Sequence, residues 1–195
     1  IKTLYDGRET LGLEPDQMRL LTETYRSYER AGAALPADKK EELRKINARI
    51  SELQLLFEQN VLKETADFTL VVDNEKDLAG LPQAAVSAAA ARAEEKGMGG
   101  WWAFGLDNAS MMPFLQFDDN RELRTKLLDG YLNRGNNGNA NDNKAIIVEL
   151  VNLSNQKAAI MGYDNYASYV LEDRMAKTPE AVYALLDQLW GPALK

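Results

Sequence analysis

Between residues 43 and 57 the apolar side chains Leu43, Ile46, Ile50, Leu53 and Phe57 recur in steps of three and four, which places all of them on one face of a helix. Lys39, Lys40, Glu41, Glu42, Arg44, Lys45 and Glu52 fill the intervening positions, the composition of a solvated outer face. A helix opening near Pro36 or Asp38 follows from this pattern. A second seam, Met18, Leu21, Tyr25 and Tyr28, predicts a preceding helix from Pro15 to Ala31, with Gly32 at its end. The two seams can pack antiparallel. Such a chain is mainly α-helical from the start.

The pattern changes at Asp67–Val72, where Phe68, Leu70 and Val72 alternate with Thr69 and Val71 and predict a short strand. Asp73-Asn74 and Leu78-Ala79-Gly80-Leu81 then form turns. Pro82 opens an alanine-rich helix that runs to about Lys96 and stops at Gly97, Gly99 and Gly100. Trp101–Leu106 and Pro113–Phe117 read as two strands of a hairpin around Asp107-Asn108-Ala109-Ser110, giving a small antiparallel hairpin or three-stranded sheet. Asp119 with Glu122 resembles a capping box for a helix through Leu123, Leu127, Leu128 and Tyr131. Residues 133–143, rich in asparagine and glycine, read as a mobile loop.

Ile146, Ile147, Leu150, Val151, Leu153, Ala158, Ile160 and Met161 predict a helix that is apolar on more than one face and lies deep, ending at Gly162. Helices over Tyr166–Arg174 and Pro179–Trp190 follow, the latter opened by Thr178-Pro179-Glu180. The expected organisation is a helical hairpin region over 1–66, short strands with an intervening helix over 67–118, and a helical region over 119–195. Together they form one continuous part of a larger domain.

The chemistry available is narrow. None of the 195 residues is histidine or cysteine, which removes the usual zinc ligands and the usual bases and nucleophiles of hydrolases. A net charge of -7 repels nucleic acid and anionic membranes. No apolar run approaches the roughly 20 residues of a membrane span. The first residues, Ile1 to Tyr5, resemble neither a signal peptide nor an initiator methionine, so a processed piece is expected. The absence of cysteine fits a reducing cytoplasm and is equally compatible with a bacterial periplasm, so the compartment stays open with the cytoplasm slightly favoured.

Residues 133–143 fail as an EF-hand: with Gly138 at the sixth position, Lys144 stands where the bidentate glutamate belongs. Gly97 to Gly100 has no strand leading into it to form a phosphate cradle. Trp101, Trp102, Phe104, Phe114 and Phe117 suit core packing better than base or sugar stacking. The carboxylate pairs Asp118-Asp119, Glu41-Glu42 and Glu94-Glu95 show no sign in sequence of the burial that acid/base work needs. No catalytic, cofactor-binding or metal-ligating residue is assigned.

Several segments, in order, resemble the thimet oligopeptidase group of zinc metallopeptidases, in its bacterial peptidyl-dipeptidase and oligopeptidase A branch. They are Leu21 to Arg26 with Ala31 to Pro36, Ile46-Asn47 to Asn60, Phe68-Thr69-Leu70, Leu78 to Pro82, and Trp102 to Leu106. Pro113-Phe114-Leu115, Asn120 to Arg124, Tyr131 to Arg134, Gly162 to Ala167 and Met175 to Pro179 complete the set. Ser154, where such proteins tend to carry arginine, and Asn108-Ala109-Ser110, which lacks their usual proline, depart from it locally.

The resemblance implies a parent enzyme that holds zinc in a His-Glu-x-x-His helix lying downstream of this stretch, and hydrolyses short oligopeptides within a channel. It further implies that these residues are a non-catalytic, amino-terminal channel wall that binds no cofactor itself. Their partners would be the missing catalytic domain and oligopeptide substrate. Apolar surface at Ile147, Val151 and Trp190 would then face water or pair between copies. The other reading is a free-standing helical protein-binding module using the face around Trp101, Trp102 and Phe117. A His-Glu-x-x-His sequence beyond Lys195 discriminates the two.

Overall fold

In the computed structural model, which describes residues 1–195, the amphipathic seam becomes the longest helix, α3 (Ala37–Asp67). Leu43, Ile46 and Leu53 are buried, while the charged positions between them pair along the surface, as Arg44 does with Glu41 and Arg49 with Glu52. α1 (Lys2–Asp6) and α2 (Pro15–Arg30) precede it. Pro15 occupies the first turn of α2, and the Gln17 side-chain oxygen accepts from the Glu14 backbone N–H at 3.1 Å.

The chain divides into two compact units, residues 53–148 and residues 1–52 with 149–195. α3 and α7 (Lys144–Ile160) each contribute to both.

The unit of residues 53–148 is built around a small sheet. β1 (Leu70–Val72) pairs antiparallel with β2 (Trp102–Phe104), Leu70 opposite Phe104 and Val72 opposite Trp102. The two strands are joined by a 3₁₀ turn at Glu75–Leu78 and by α4 (Gln83–Glu95), so they do not form a hairpin. Alternate β1 residues Leu70 and Val72 point into a core with Leu78, Ala89, Phe104, Leu106, Met111, Phe114 and Leu127. Phe104 and Phe114 meet edge to face, ring centroids 4.5 Å apart.

Four expectations change here. Pro113–Phe117 is no strand: residues Asn108–Phe117 are helix α5. The Asp107 side chain accepts from the Ser110 N–H at 3.1 Å and starts that helix, and Met111 and Phe114, one turn apart, are its buried face. A short apolar run fits a strand and a buried helix equally well by periodicity, and the cap decides. Secondly, the cap of α6 (Arg121–Leu132) is Asn120, whose Oδ1 accepts from the Glu122 and Leu123 N–H groups. Asp119 stands one residue outside that cap, its N–H donating to the Ala79 carbonyl at 2.8 Å.

Thirdly, residues 133–143 are tied down by side-chain hydrogen bonds, described below. Lastly, α7 is not deep throughout: Ile146 and Ala158 are buried, whereas Ile147, Val148 and Val151 stand 48%, 61% and 55% exposed. Residues that are apolar all round a helix need not all find partners.

In the other unit, α8 (Tyr166–Leu171) and α9 (Pro179–Ala193) follow α7, with Asn165 and Thr178 as their side-chain caps. Neither helix buries a residue. The α9 side chains Tyr183, Leu185, Leu186, Leu189 and Trp190 are all more than half exposed. No helix is long and apolar enough to cross a membrane.

Candidate functional site

Two polar constellations stand out, one in each unit. In the unit of residues 53–148, α3 carries Glu64 into a buried position, 7% exposed, facing the loop 133–143. Its carboxylate accepts from the Gly135 backbone N–H, from Asn137 Nδ2 at 2.8 Å and from Asn139 Nδ2 at 2.7 Å. Burial alone would raise the Glu64 pKa, but the three donors outweigh it and hold the carboxyl below its ordinary value.

One turn earlier on α3, Asn60 Nδ2 donates to Asn143 Oδ1 at 2.8 Å, and Asn143 donates to the Phe57 carbonyl. Gly135 adopts a φ of +73°, and a Cβ there would lie 2.8 Å from Asn143 Nδ2, so glycine is required by both conformation and space. Arg134 donates to Thr65 Oγ1 at 3.0 Å and lies over the Tyr131 ring. Asp142 accepts from Lys144 Nζ, from the Lys144 N–H and from the Gly138 N–H, which together pull its pKa down to about 2. Beside this network lies an open pocket of about 410 Å³, lined by Glu64, Asp67, Phe68, Asp129, Arg134 and Asn137 among others.

The second constellation centres on Glu172. Arg26 and Arg30, one turn apart on α2, both pair with its carboxylate, Arg26 at 2.8 Å, and the Tyr163 hydroxyl donates to it as well. Arg30 also donates to the Tyr169 carbonyl at 2.7 Å and lies over its ring, while the Tyr169 hydroxyl donates back to the Arg30 carbonyl. The Tyr163 and Arg26 donors keep the Glu172 pKa below its ordinary value despite partial burial. An adjoining pocket of about 470 Å³ is lined by Tyr5, Arg26, Arg30, Met161, Tyr163 and Glu172.

Both constellations are internally hydrogen-bonded, Glu64 by three neutral amide donors and Glu172 by two arginines and a tyrosine. They orient helices and loops, and neither presents a nucleophile beside a base. No group of three or more histidine, cysteine, aspartate or glutamate residues is gathered closely enough to hold a metal ion.

Of the residues weighed in sequence, Phe104 and Phe114 are core, Trp102 is half-buried, and Trp101 and Phe117 are exposed at 46% and 44%. The expectation of core packing therefore holds for Phe104 and Phe114 and fails for Trp101 and Phe117. Glu41 pairs with Arg44 on the outer face of α3. Asp118 corrects the expectation of exposed carboxylates, since it is 3% exposed with Oδ2 unpartnered, and burial pushes its pKa up. Its Oδ1 accepts from the Asn120 N–H.

Glu64 and Glu172 were not singled out from sequence. The signals were there: an asparagine-rich loop supplies donors that need an acceptor, and two arginines four apart on one helical face need a carboxylate.

Comparison with known proteins completes the picture. The model of Peptidase family M3 matches residues 114–194. The chain is 32% identical to the dipeptidyl carboxypeptidase of Escherichia coli (strain K12) over 189 residues, covering 97% of this chain and 28% of that protein. It is likewise 32% identical to oligopeptidase A of the same organism over 192 residues, 96% of this chain and 28% of the relative. Oligopeptidase A of Haemophilus influenzae is 33% identical over 177 residues, 89% and 26% respectively. The chain thus spans little more than a quarter of the length of the curated relatives it matches.

Proposed function

We propose, from the premise that this chain belongs to peptidase family M3, that it forms a non-catalytic wall of the substrate channel in a zinc metallopeptidase acting on short oligopeptides. One observation carries the reading: nearly the whole chain aligns with a dipeptidyl carboxypeptidase and with oligopeptidases, yet it holds neither histidine nor cysteine. Zinc does not suit the donors present, which lack imidazole and thiolate and include no gathered trio of carboxylates. On this reading the metal and the activated water belong to sequence outside these residues, and no step is routed through this chain.

What a helical wall contributes is positioning. Holding a peptide at a fixed distance and orientation from a reacting centre lowers the entropic part of the barrier without any chemistry in the wall. The exposed apolar side chains of α9, Tyr183, Leu186, Leu189 and Trp190, supply surface for the rest of such an enzyme to cover.

The test compares the full-length protein with the isolated 195-residue chain, each with zinc and an internally quenched oligopeptide. Cleavage by the former and none by the latter is the expected result. Robust metal-dependent cleavage by the isolated chain overturns the reading.

A further inference from the structure

The loop 133–143 contains the one Asn-Gly pair in the chain, Asn137-Gly138, and its surroundings give that pair a consequence. We propose that Asn137 is a site of spontaneous deamidation and that its product releases the loop from Glu64.

Deamidation needs the backbone nitrogen of the following residue to reach the asparagine Cγ. Every other asparagine in the chain is followed by a residue with a Cβ that hinders the approach; Gly138 has none. Both residues are exposed to water, and nothing lies within 4 Å of where a Cβ on Gly138 would sit. The Gly138 N–H, which must lose its proton, points at the Asp142 carboxylate at 2.8 Å.

In the reaction the deprotonated Gly138 nitrogen bonds to Asn137 Cγ, the bond from Cγ to Nδ2 breaks, and ammonia leaves. Water then opens the cyclic imide at one carbonyl or the other, yielding aspartate or isoaspartate. Asparagine and one water become an acidic residue and ammonia, with no change of oxidation state.

The product reverses one contact. Asn137 Nδ2 donates to Glu64 Oε2 at 2.8 Å, and after conversion an anionic oxygen replaces that donor against a buried carboxylate. Glu64 also holds Gly135 and Asn139, so repulsion there loosens the loop along its length. None of this depends on the peptidase reading.

The full-length protein is kept at mildly alkaline pH, and samples taken over time are divided between peptide mass spectrometry and amide hydrogen exchange. Asn137 is expected to convert before any other asparagine. The Gly135 amide in converted molecules should exchange roughly tenfold faster, the loss of about one hydrogen bond to a charged acceptor. Gly138→Asn keeps a residue that tolerates positive φ and restores the Cβ, and should suppress conversion.

Asn137→Asp supplies the product directly and should raise Gly135 exchange by the same roughly tenfold factor, since Gly135 and residue 137 meet the same Glu64 oxygen. An Asn137 that stays intact while other asparagines convert overturns the proposal. So does a converted Asn137 with unchanged Gly135 exchange.

Discussion

The two units of this chain use opposite means of holding shape. Residues 53–148 enclose Leu53, Leu70, Val72, Phe104, Leu106, Met111, Phe114 and Leu127, whereas in residues 1–52 and 149–195 Leu43, Ile46 and Ala158 are the only buried apolar side chains. The second unit instead ties α2 to α8 through Glu172, and leaves α9 uncovered. Burial scales with apolar area removed from water, while partly exposed ion pairs return little. One unit is therefore a core in its own right, and the other has much of its apolar surface still unspent.

The largest expected effect probes that contrast directly. Phe114→Ala removes a fully buried ring and should cost about 3–5 kcal/mol in the unfolding of residues 53–148, whereas Trp190→Ala in the isolated chain should change stability by less than about 0.5 kcal/mol. Chemical denaturation with probes in each unit checks both. Equal losses would erase the distinction.

Next is the Glu64 network. Glu64→Gln should cost about 2 kcal/mol at neutral pH, since it replaces an ionised acceptor with a group whose amide faces other donors. The pH dependence has a definite sign. The folded pKa lies below the ordinary 4.5, so the stabilisation is fully present above that value and is lost as pH falls through the folded pKa. Stability measured from pH 6 down to about pH 3 should fall more steeply in the native protein than in Glu64→Gln.

Glu172→Gln should cost only about 0.5–1 kcal/mol, because the carboxylate is 38% exposed and solvent screens its arginine partners. Hydrogen exchange over Tyr166–Leu171 reads this locally, and a loss as large as that of Glu64→Gln would refute the ranking. The smallest effect on stability belongs to Leu186→Glu on α9, which should leave folding intact; if the uncovered face pairs between copies of the isolated chain, sedimentation velocity should show association in the native sequence and less of it in the variant.

Most helices were legible because amphipathic spacing and caps are local. Leu43, Ile46 and Leu53 are buried as their spacing requires, and Thr178 caps α9 as its place before Pro179 suggests. The segment around Pro113 was not legible: its helix depends on Asp107 capping Ser110 and on Phe114 finding Phe104 across the core, a partner ten residues away. Nor could the loop be judged from its composition, since asparagine and glycine describe freedom only until an acceptor such as Glu64 is brought alongside.

By itself, the sequence determined that the chain is mainly helical, that it resembles a peptidase family, and that it holds neither histidine nor cysteine, since periodicity and composition are properties of the chain alone. Only the tertiary structure decided which carboxylates are buried, which loop is held, and which apolar faces stay open. Each of those depends on what a distant segment places opposite, and Glu64 becomes an anchor only because residues 135–139 fold onto it.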